Sequence, residues 1–131
     1  MRMDEPAKRV MVVDDAGLVR LYYRETLERA GFQVDEALNG LEALEKLLET
    51  TVDLLIVDVN MPQMDGLTFV ETLRRQDLPL ASTPVLITST ESAPQDMEAA
   101  RVAGANFYLV KPVGRETLVE FAAMFCGTAA A

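Results

Sequence analysis

The sequence predicts an α/β fold built on a parallel sheet of five strands, with helices on both faces. Two observations lead to this prediction. Strand-like and helix-like segments alternate five times along the 131 residues, which is typical of right-handed βαβ crossovers. In addition, the run LLIV at residues 54–57 is apolar without interruption, as expected for a strand covered on both faces. A chain of this length fits one domain of ordinary size.

The first three predicted elements form a strand–helix–strand unit. Residues 8–13, KRVMVV, are mostly apolar and predict the first strand. Apolar side chains then recur at mostly helical spacing over residues 18–30, and Gly31 ends this first helix. Residues 32–37 carry spaced apolar side chains and predict a short second strand. The two strands of such a unit run in the same direction.

Turn residues separate the next elements. An Asn-Gly pair precedes a second helix over residues 41–48. Its inward side chains are predicted to be Leu41, Ala43, Leu44, Leu47 and Leu48. The third strand covers residues 54–57. An Asp-Gly pair then opens a third helix, which runs from residue 66 to about residue 75.

The last third of the chain repeats the pattern twice. The segment PVLIT at residues 84–88 predicts the fourth strand, and a proline opens a fourth helix over residues 94–104. The segment FYLV at residues 107–110 predicts the fifth strand. A Lys-Pro pair ends that strand, and residues 114–125 form the last helix.

These elements predict one domain over residues 8–126, between flexible tails at residues 1–7 and 127–131. The apolar runs are far shorter than the ~20 residues that span a bilayer. The first residues lack the pattern of a secretory signal. We therefore expect a soluble, cytoplasmic protein that does not insert into membranes.

Composition excludes several kinds of site. The chain has no histidine, which removes the usual general base and the imidazole metal ligand. A single cysteine, Cys126, cannot form an intrachain disulfide or a thiolate cluster, so we expect it to pack in the core. The net charge of −9 argues against a nucleic-acid-binding surface. Any metal must therefore use oxygen ligands, as Mg²⁺, Mn²⁺ and Ca²⁺ do.

Carboxylates follow two of the predicted strands. Asp14 and Asp15 come after the first strand, and Asp58 follows the third. Ligands of open parallel sheets bind beyond the carboxyl ends of the strands. In the flavodoxin-like order 2-1-3-4-5, the first and third strands are neighbours, so the three carboxylates should meet. Because like charges repel, the carboxylates should either raise one another's pKa values or bind a cation. Mg²⁺ is the leading choice of cation, with Mn²⁺ as the alternative.

Two further side chains should reach the same edge of the sheet. Ser89 ends the fourth strand, and Lys111 follows the fifth. An aspartate can attack a phosphoryl group, and Asp58 is central among these residues. The Lys111 ammonium and the metal would then stabilise charge on the phosphoryl oxygens. The Ser89 hydroxyl would donate a hydrogen bond to the new phosphoryl group, and its loop would move.

Each of these residues also has a structural explanation when it is taken alone. Aspartates after a strand are favoured caps of the following helix, and an isolated lysine usually lies in solvent. The switch hydroxyl is ambiguous as well, because Thr88 and Thr90 flank Ser89, although the spacing favours Ser89. It is the joint placement at neighbouring strand ends that favours a functional site.

Four motifs together give the chain a family resemblance. VMVVDD, LLIVDVNMPQMDG, PVLITST and YLVKP occur in this order between residues 9 and 125. In these motifs the chain resembles the receiver domain of two-component response regulators, especially single-domain chemotaxis-type regulators. The resemblance implies a (βα)5 three-layer sandwich. The strand order 2-1-3-4-5 belongs to this resemblance, because a chemotaxis protein is itself a known example of that order.

The resemblance implies a role for each residue of the metal site. Asp58 matches the phosphoacceptor. Asp15 matches a direct Mg²⁺ ligand, and Asp14 matches an acidic partner that holds the metal partly through water. The backbone carbonyl of Asn60 matches the group that completes the coordination.

It also implies the residues that bind phosphate and carry the switch. Lys111 matches the phosphate-binding lysine, and the bond before Pro112 is expected to be cis. Ser89 matches the switch hydroxyl. Tyr108 matches the aromatic side chain that swings inward when that hydroxyl moves.

The resemblance implies a signalling module and not an enzyme, one that catalyses only its own phosphorylation and dephosphorylation. The donor would be a histidine kinase or a phosphotransfer protein. A downstream protein would bind the face built by the fourth helix, fifth strand and fifth helix, with the chain a monomer or a weak dimer. The alternative is a haloacid-dehalogenase-like phosphotransferase or phosphatase. Such enzymes need a second aspartate two residues after the nucleophile, and this chain has Asn60 there.

Overall fold

The computed structural model describes residues 6–128. Residues 1–5 and 129–131, which form most of the two predicted tails, lie outside the described residues. Within the described range the five β-strands are Arg9–Val13 (β1), Gln33–Ala37 (β2), Leu54–Asp58 (β3), Val85–Ser89 (β4) and Phe107–Val110 (β5). The five α-helices are Gly17–Arg29 (α1), Gly40–Glu49 (α2), Gly66–Arg74 (α3), Pro94–Ala103 (α4) and Arg115–Cys126 (α5). A short 3₁₀-helix at Leu80–Ser82, which the sequence pattern did not predict, precedes β4.

The five strands form one parallel sheet in the order β2-β1-β3-β4-β5. This confirms the predicted fold class and strand order. Val13 pairs with Val57, and Asp58 pairs with Thr88, so the strands end nearly level with one another. We call the edge of the sheet where the strands end the carboxyl rim, and the opposite edge the amino rim.

Helices cover both faces of the sheet and give three layers. Side chains of α1 and α5, such as Leu27 and Leu118, pack on one face with alternate strand residues. Side chains of α2, α3 and α4, such as Leu47, Phe69 and Ala100, pack on the other face. The hydrophobic effect holds these layers together, at about 1.5–3 kcal/mol for each large apolar side chain that folding buries.

The apolar run of β3 is explained by its central place in the sheet. Leu54 and Ile56 point into the layer of α1 and α5, whereas Leu55 and Val57 point into the opposite layer. All four side chains are 0% exposed. A strand with solvent on one face would alternate polar and apolar residues, so β3 needs apolar residues at every position until the carboxyl rim.

The predicted inward face of α2 is partly wrong. Ala43 and Leu47 are buried, but Leu41 is 44% exposed and Leu48 is 77% exposed. The helix packs on the sheet through one narrow stripe at helical spacing, and a set of five inward side chains needs a wider stripe than that. On α1, Leu18 and Leu21 are exposed as well, although their spacing helped to predict that helix.

A single arginine joins several loops at the amino rim. The guanidinium of Arg74, at the end of α3, donates hydrogen bonds of 2.7–3.0 Å. The acceptors are the carbonyls of Ala81, Thr83 and Gly104 and the side-chain oxygen of Asn106. Asn106 accepts a further bond from the Val85 amide at the start of β4. Arg74 thus ties α3 to the segments that enter β4 and β5.

The last helix returns to the amino rim. Cys126, the final residue of α5, is buried, as expected. Burial raises the pKa of its thiol to about 12, with a smaller contribution from the nearby Asp53 carboxylate and an opposing one from Lys8. Lys8 and Asp53 precede β1 and β3, so α5 ends beside the points where these strands begin. None of the helices in residues 6–128 combines the length and apolar character that a membrane span requires.

Candidate functional site

The end of β1 presents a buried aspartate whose polar atoms all have partners. The Asp14 amide donates to the Ala37 carbonyl across the sheet at 3.1 Å. One carboxylate oxygen accepts a bond from the Ala16 amide at 2.9 Å, which stabilises the turn into α1. The other oxygen lies 2.9 Å from the Lys111 ammonium. Asp14 is 1% exposed, so its carboxylate has a fixed position.

Three carboxylates meet at the carboxyl rim. One oxygen each from Asp14, Asp15 and Asp58 lies within 4.8 Å of the others. Asp14 and Asp58 are buried, whereas Asp15 is exposed. The parallel sheet causes this convergence, because β1 and β3 are neighbours and end at the same level.

Lys111 brings positive charge into the cluster. Its ammonium lies 3.1 Å from the Asp58 carboxylate and 2.9 Å from that of Asp14. Burial lowers the pKa of the Lys111 ammonium, but the two carboxylates outweigh burial and raise it overall. The peptide bond from Lys111 to Pro112 is cis, as the resemblance implied.

The environment of Asp58 disfavours its negative charge, despite the contact with Lys111. Burial and the charge of Asp14 raise the pKa of its carboxyl, and Lys111 offsets only part of this rise. Three carboxylates and one ammonium leave a formal charge of −2 at the cluster. Clustered carboxylate oxygens with surplus negative charge fit a hard divalent cation such as Mg²⁺.

Ser89 and Tyr108 are joined through the backbone of one residue. The Ser89 hydroxyl oxygen accepts a 3.1 Å bond from the Glu91 amide. The Tyr108 hydroxyl donates a 2.8 Å bond to the carbonyl of the same Glu91. Ser89 is buried, and Tyr108 is half-buried. Both line a cavity of about 180 Å³ together with Asn60.

The two hydroxyls beside Ser89 have different surroundings. Thr88 is fully buried, and its hydroxyl lies 3.5 Å from the Val57 carbonyl. Thr90 is exposed and lines a second cavity together with Lys111. Of the three, Ser89 is the one that shares a cavity with Asn60 and Tyr108.

The loop after β3 carries Asn60, which is exposed, and ends at Gly66. The sequence predicts only a turn at Gly66, but the structure shows a second constraint on this residue. Its amide donates to the Val59 carbonyl at 2.8 Å, and a Cβ atom at this position would lie 2.3 Å from the Asp58 carbonyl oxygen. Gly66 thus allows the loop to close tightly against the backbone of Asp58. The Asp-Gly pair at the start of α3 was the available signal.

Comparisons with known proteins agree with this geometry. The sequence matches the response regulator receiver domain family over residues 10–123. The chemotaxis protein CheY4 of Vibrio cholerae has a similar structure, with a TM-score of 0.85 and 36% identity over 92% of this chain and 99% of that chain. The signal receiver domain of a signal transduction histidine kinase from Syntrophus aciditrophicus has a TM-score of 0.85 and 30% identity, over 92% of this chain and 91% of that chain.

Longer relatives share the same segment. The transcriptional regulatory protein PrrA of Mycobacterium leprae is 41% identical over 104 residues, which are 79% of this chain and 43% of PrrA. The protein-glutamate methylesterase/protein-glutamine glutaminase of Archaeoglobus fulgidus is 41% identical over 110 residues, 81% of this chain and 30% of that protein. The chain therefore spans less than half the length of these two relatives. These matches give the haloacid-dehalogenase-like alternative no support. The motifs, the fold and the family match together show that the chain belongs to the receiver domains of two-component response regulators.

Proposed function

We propose that Asp58 accepts a phosphoryl group from a phosphohistidine on a histidine kinase or a phosphotransfer protein. The observation that carries this proposal is the environment of Asp58: its carboxylate lies 3.1 Å from the Lys111 ammonium, and it belongs to a cluster with Asp14 and Asp15. A buried carboxylate with a raised pKa at a strand end is typical of a functional site. The chain has no histidine, so the donor residue lies on a partner.

The transfer is a nucleophilic substitution at phosphorus. A carboxylate oxygen of Asp58 forms the new P–O bond while the P–N bond to the donor imidazole breaks, and the imidazole leaves with the electron pair. The Lys111 ammonium, already beside Asp58, donates hydrogen bonds to the phosphoryl oxygens as their charge increases. Water later ends the phosphorylated state: its oxygen forms a new bond to phosphorus while the bond between phosphorus and the Asp58 oxygen breaks, which releases inorganic phosphate and restores the carboxylate.

The acidic cluster would hold the metal that this chemistry requires. Asp14, Asp15, Asp58 and the Asn60 carbonyl would bind Mg²⁺, and Mn²⁺ is the alternative ion. When bound, the ion supplies positive charge beside the phosphoryl oxygens. The surplus charge of the carboxylates supports this assignment.

The switch operates through Glu91. When the Ser89 hydroxyl turns to donate to the phosphoryl group, its oxygen loses the bond from the Glu91 amide. The loop then moves, and the bond from Tyr108 to the Glu91 carbonyl breaks. Tyr108 swings inward into the space that opens, which changes the surface of β5.

The output of this switch is a protein contact on the face of α4, β5 and α5. Phe107 and Val110 of β5 are 44% and 39% exposed. The Phe107 ring stacks on Phe121 of α5, with ring centroids 4.6 Å apart. This apolar edge suits a downstream protein and not a nucleic acid. The chain acts as a monomer or weak dimer in the cytoplasm, and its only catalysis is its own phosphorylation and dephosphorylation.

The acceptor is tested by treating the protein with phosphoramidate and Mg²⁺ and measuring its intact mass. We expect one added phosphoryl group in the wild type and none in Asp58→Asn, because the amide is not a nucleophile. Asp77→Asn changes an exposed aspartate outside the site and should be labelled like the wild type. A phosphoryl group that persists in Asp58→Asn would refute the assignment.

A further inference from the structure

An arginine that the mechanism does not use contacts the backbone of the acidic site. Nη1 of Arg20, in the first turns of α1, donates a 2.7 Å hydrogen bond to the carbonyl of Asp14. That carbonyl belongs to the peptide group that links Asp14 to Asp15. On the preceding peptide group, the Asp14 amide donates to Ala37. The backbone that leads into Asp15 is therefore held from both sides.

Arg20 is itself held in place. Its Nε lies 2.9 Å from one carboxylate oxygen of Glu36, which lies on β2. The other oxygen of Glu36 accepts a 2.7 Å bond from Nε of Arg24. Burial raises the pKa of the Glu36 carboxyl, but the two arginines outweigh burial and lower it overall, so Glu36 is ionised at neutral pH. The Arg20 side chain is only 15% exposed.

The positive charge of Arg20, taken alone, should weaken the binding of a metal cation. A guanidinium beside three carboxylates repels an incoming cation, so its removal should strengthen cation binding. The bond to the Asp14 carbonyl acts in the opposite direction, because it restricts the peptide group from which Asp15 projects. Arg24 shares the Glu36 partner, and its other ion pair is with Glu28 at 3.0 Å.

We propose that Arg20 is a positioning residue for the metal site: it fixes the Asp14–Asp15 peptide group, so that the exposed Asp15 carboxylate is preorganised to bind Mg²⁺. This inference rests on the proposed function, which makes the acidic cluster a Mg²⁺ site. The pair Arg20 and Glu36 thereby couples the edge strand β2 to the metal ligands of β1. Groups that orient metal ligands typically contribute about 10- to 100-fold to metal affinity.

The test compares Mg²⁺ binding by isothermal titration calorimetry of the full chain and its variants. We expect Arg20→Met to bind Mg²⁺ about 10-fold more weakly than the wild type. Arg24→Met removes the same charge from Glu36 but leaves the Asp14 contact, and should bind within about twofold of the wild type. Tighter or unchanged binding by Arg20→Met would overturn the proposal, and so would equal weakening by both variants.

A second variant separates position from charge and keeps the test valid if Arg20→Met folds poorly. Arg20→Lys keeps the positive charge but cannot bridge Glu36 and the Asp14 carbonyl in the same way. We expect it to bind Mg²⁺ more weakly than the wild type, and wild-type affinity would overturn the proposal. Urea unfolding of each variant identifies any loss that comes from unfolding.

A kinetic readout distinguishes positioning from a general structural role. In Arg20→Lys, labelling by phosphoramidate should need more Mg²⁺ for half-maximal rate, whereas the rate at saturating Mg²⁺ stays near that of the wild type. A reduced saturating rate with an unchanged Mg²⁺ requirement would contradict the positioning role. A wild type that neither binds Mg²⁺ nor labels at Asp58 would refute the proposed function as well as this inference. Normal wild-type behaviour with wild-type affinity in both Arg20 variants would refute the inference alone.

Discussion

The contact between Gly66 and the backbone of Asp58 shows how one missing methyl group shapes the site. A Cβ atom on residue 66 would overlap the Asp58 carbonyl oxygen at 2.3 Å. No rotation of a side chain relieves this clash, since both partners are backbone or backbone-attached atoms. The loop that carries Asn60 would have to move away from β3.

We therefore expect Gly66→Ala to lower the rate of Asp58 phosphorylation by at least about 10-fold, because misplaced catalytic groups lose their alignment. The free energy of unfolding should fall by about 1–3 kcal/mol. Mass spectrometry of the phosphoramidate reaction and urea unfolding measure the two effects.

Gly114→Ala is the matched control for this substitution. A Cβ atom there meets nothing within 4 Å, so labelling should be unchanged. Gly114 caps α5, and alanine is a poorer cap, which costs at most about 1 kcal/mol. Equal labelling rates in Gly66→Ala and Gly114→Ala would show that the close approach is not needed for phosphorylation.

At this scale, sequence patterns found the charged residues of the site but not the residues that hold them. Asp14 and Lys111 directly follow β1 and β5, and Asp58 is the last residue of β3, so the topology alone places them at the same edge of the sheet. Arg20 and Gly66 act through contacts with backbone carbonyls. Such contacts depend on the approach of two chain segments in space. The Asp-Gly pair marks a turn at Gly66, but it does not reveal how closely that turn approaches Asp58.

At the scale of elements, Arg74 connects α3 with the loops at the amino rim. Its charged donors satisfy three backbone carbonyls in a half-buried environment. Hydrogen bonds from a charged donor contribute more than neutral ones, and unpaired buried carbonyls are costly.

We expect Arg74→Met to lower the free energy of unfolding by about 2–4 kcal/mol, measured by urea denaturation. Arg75→Met, at the exposed neighbouring position, should change it by less than about 0.5 kcal/mol. Mg²⁺-dependent labelling of Asp58 should survive in folded Arg74→Met, because the site lies at the opposite rim. A loss no larger than that of Arg75→Met would contradict this role.

The elements themselves were predictable because each has a clear period and clear stop signals. Which side chains of α1 and α2 face the core was less predictable. A leucine at helical spacing satisfies the pattern whether or not the sheet extends beneath it, and Leu18 and Leu48 lie where it does not. The 3₁₀-helix at Leu80–Ser82 is too short to produce a period.

At the scale of the whole molecule, the cluster of carboxylates at the carboxyl rim lowers the free energy of unfolding. Burial and the negative charge of Asp14 raise the pKa of the Asp58 carboxyl, so its ionised form is less stable in the folded chain than in the unfolded chain. The parallel sheet forces the carboxylates together, and folding must overcome their repulsion. Functional sites commonly trade stability for activity in this way.

In metal-free buffer at pH 7, Asp58→Asn should therefore be more stable than the wild type, by about 1 kcal/mol. Mg²⁺ should stabilise the wild type more than the variant, because the ion binds the folded wild type better. Thermal unfolding with EDTA and with excess Mg²⁺ measures both differences. A variant that is less stable than the wild type in EDTA would contradict this explanation.

The path of α5 has a practical consequence for joining this chain to other molecules. Cys126 is close enough to Lys8 and Asp53 for their charges to shift the pKa of its thiol, so the two ends of the described chain lie at the amino rim, away from Asp58. A fluorescent reporter or an affinity tag attached near either described end would lie at the amino rim. The phosphate donor could still reach Asp58 from the carboxyl rim.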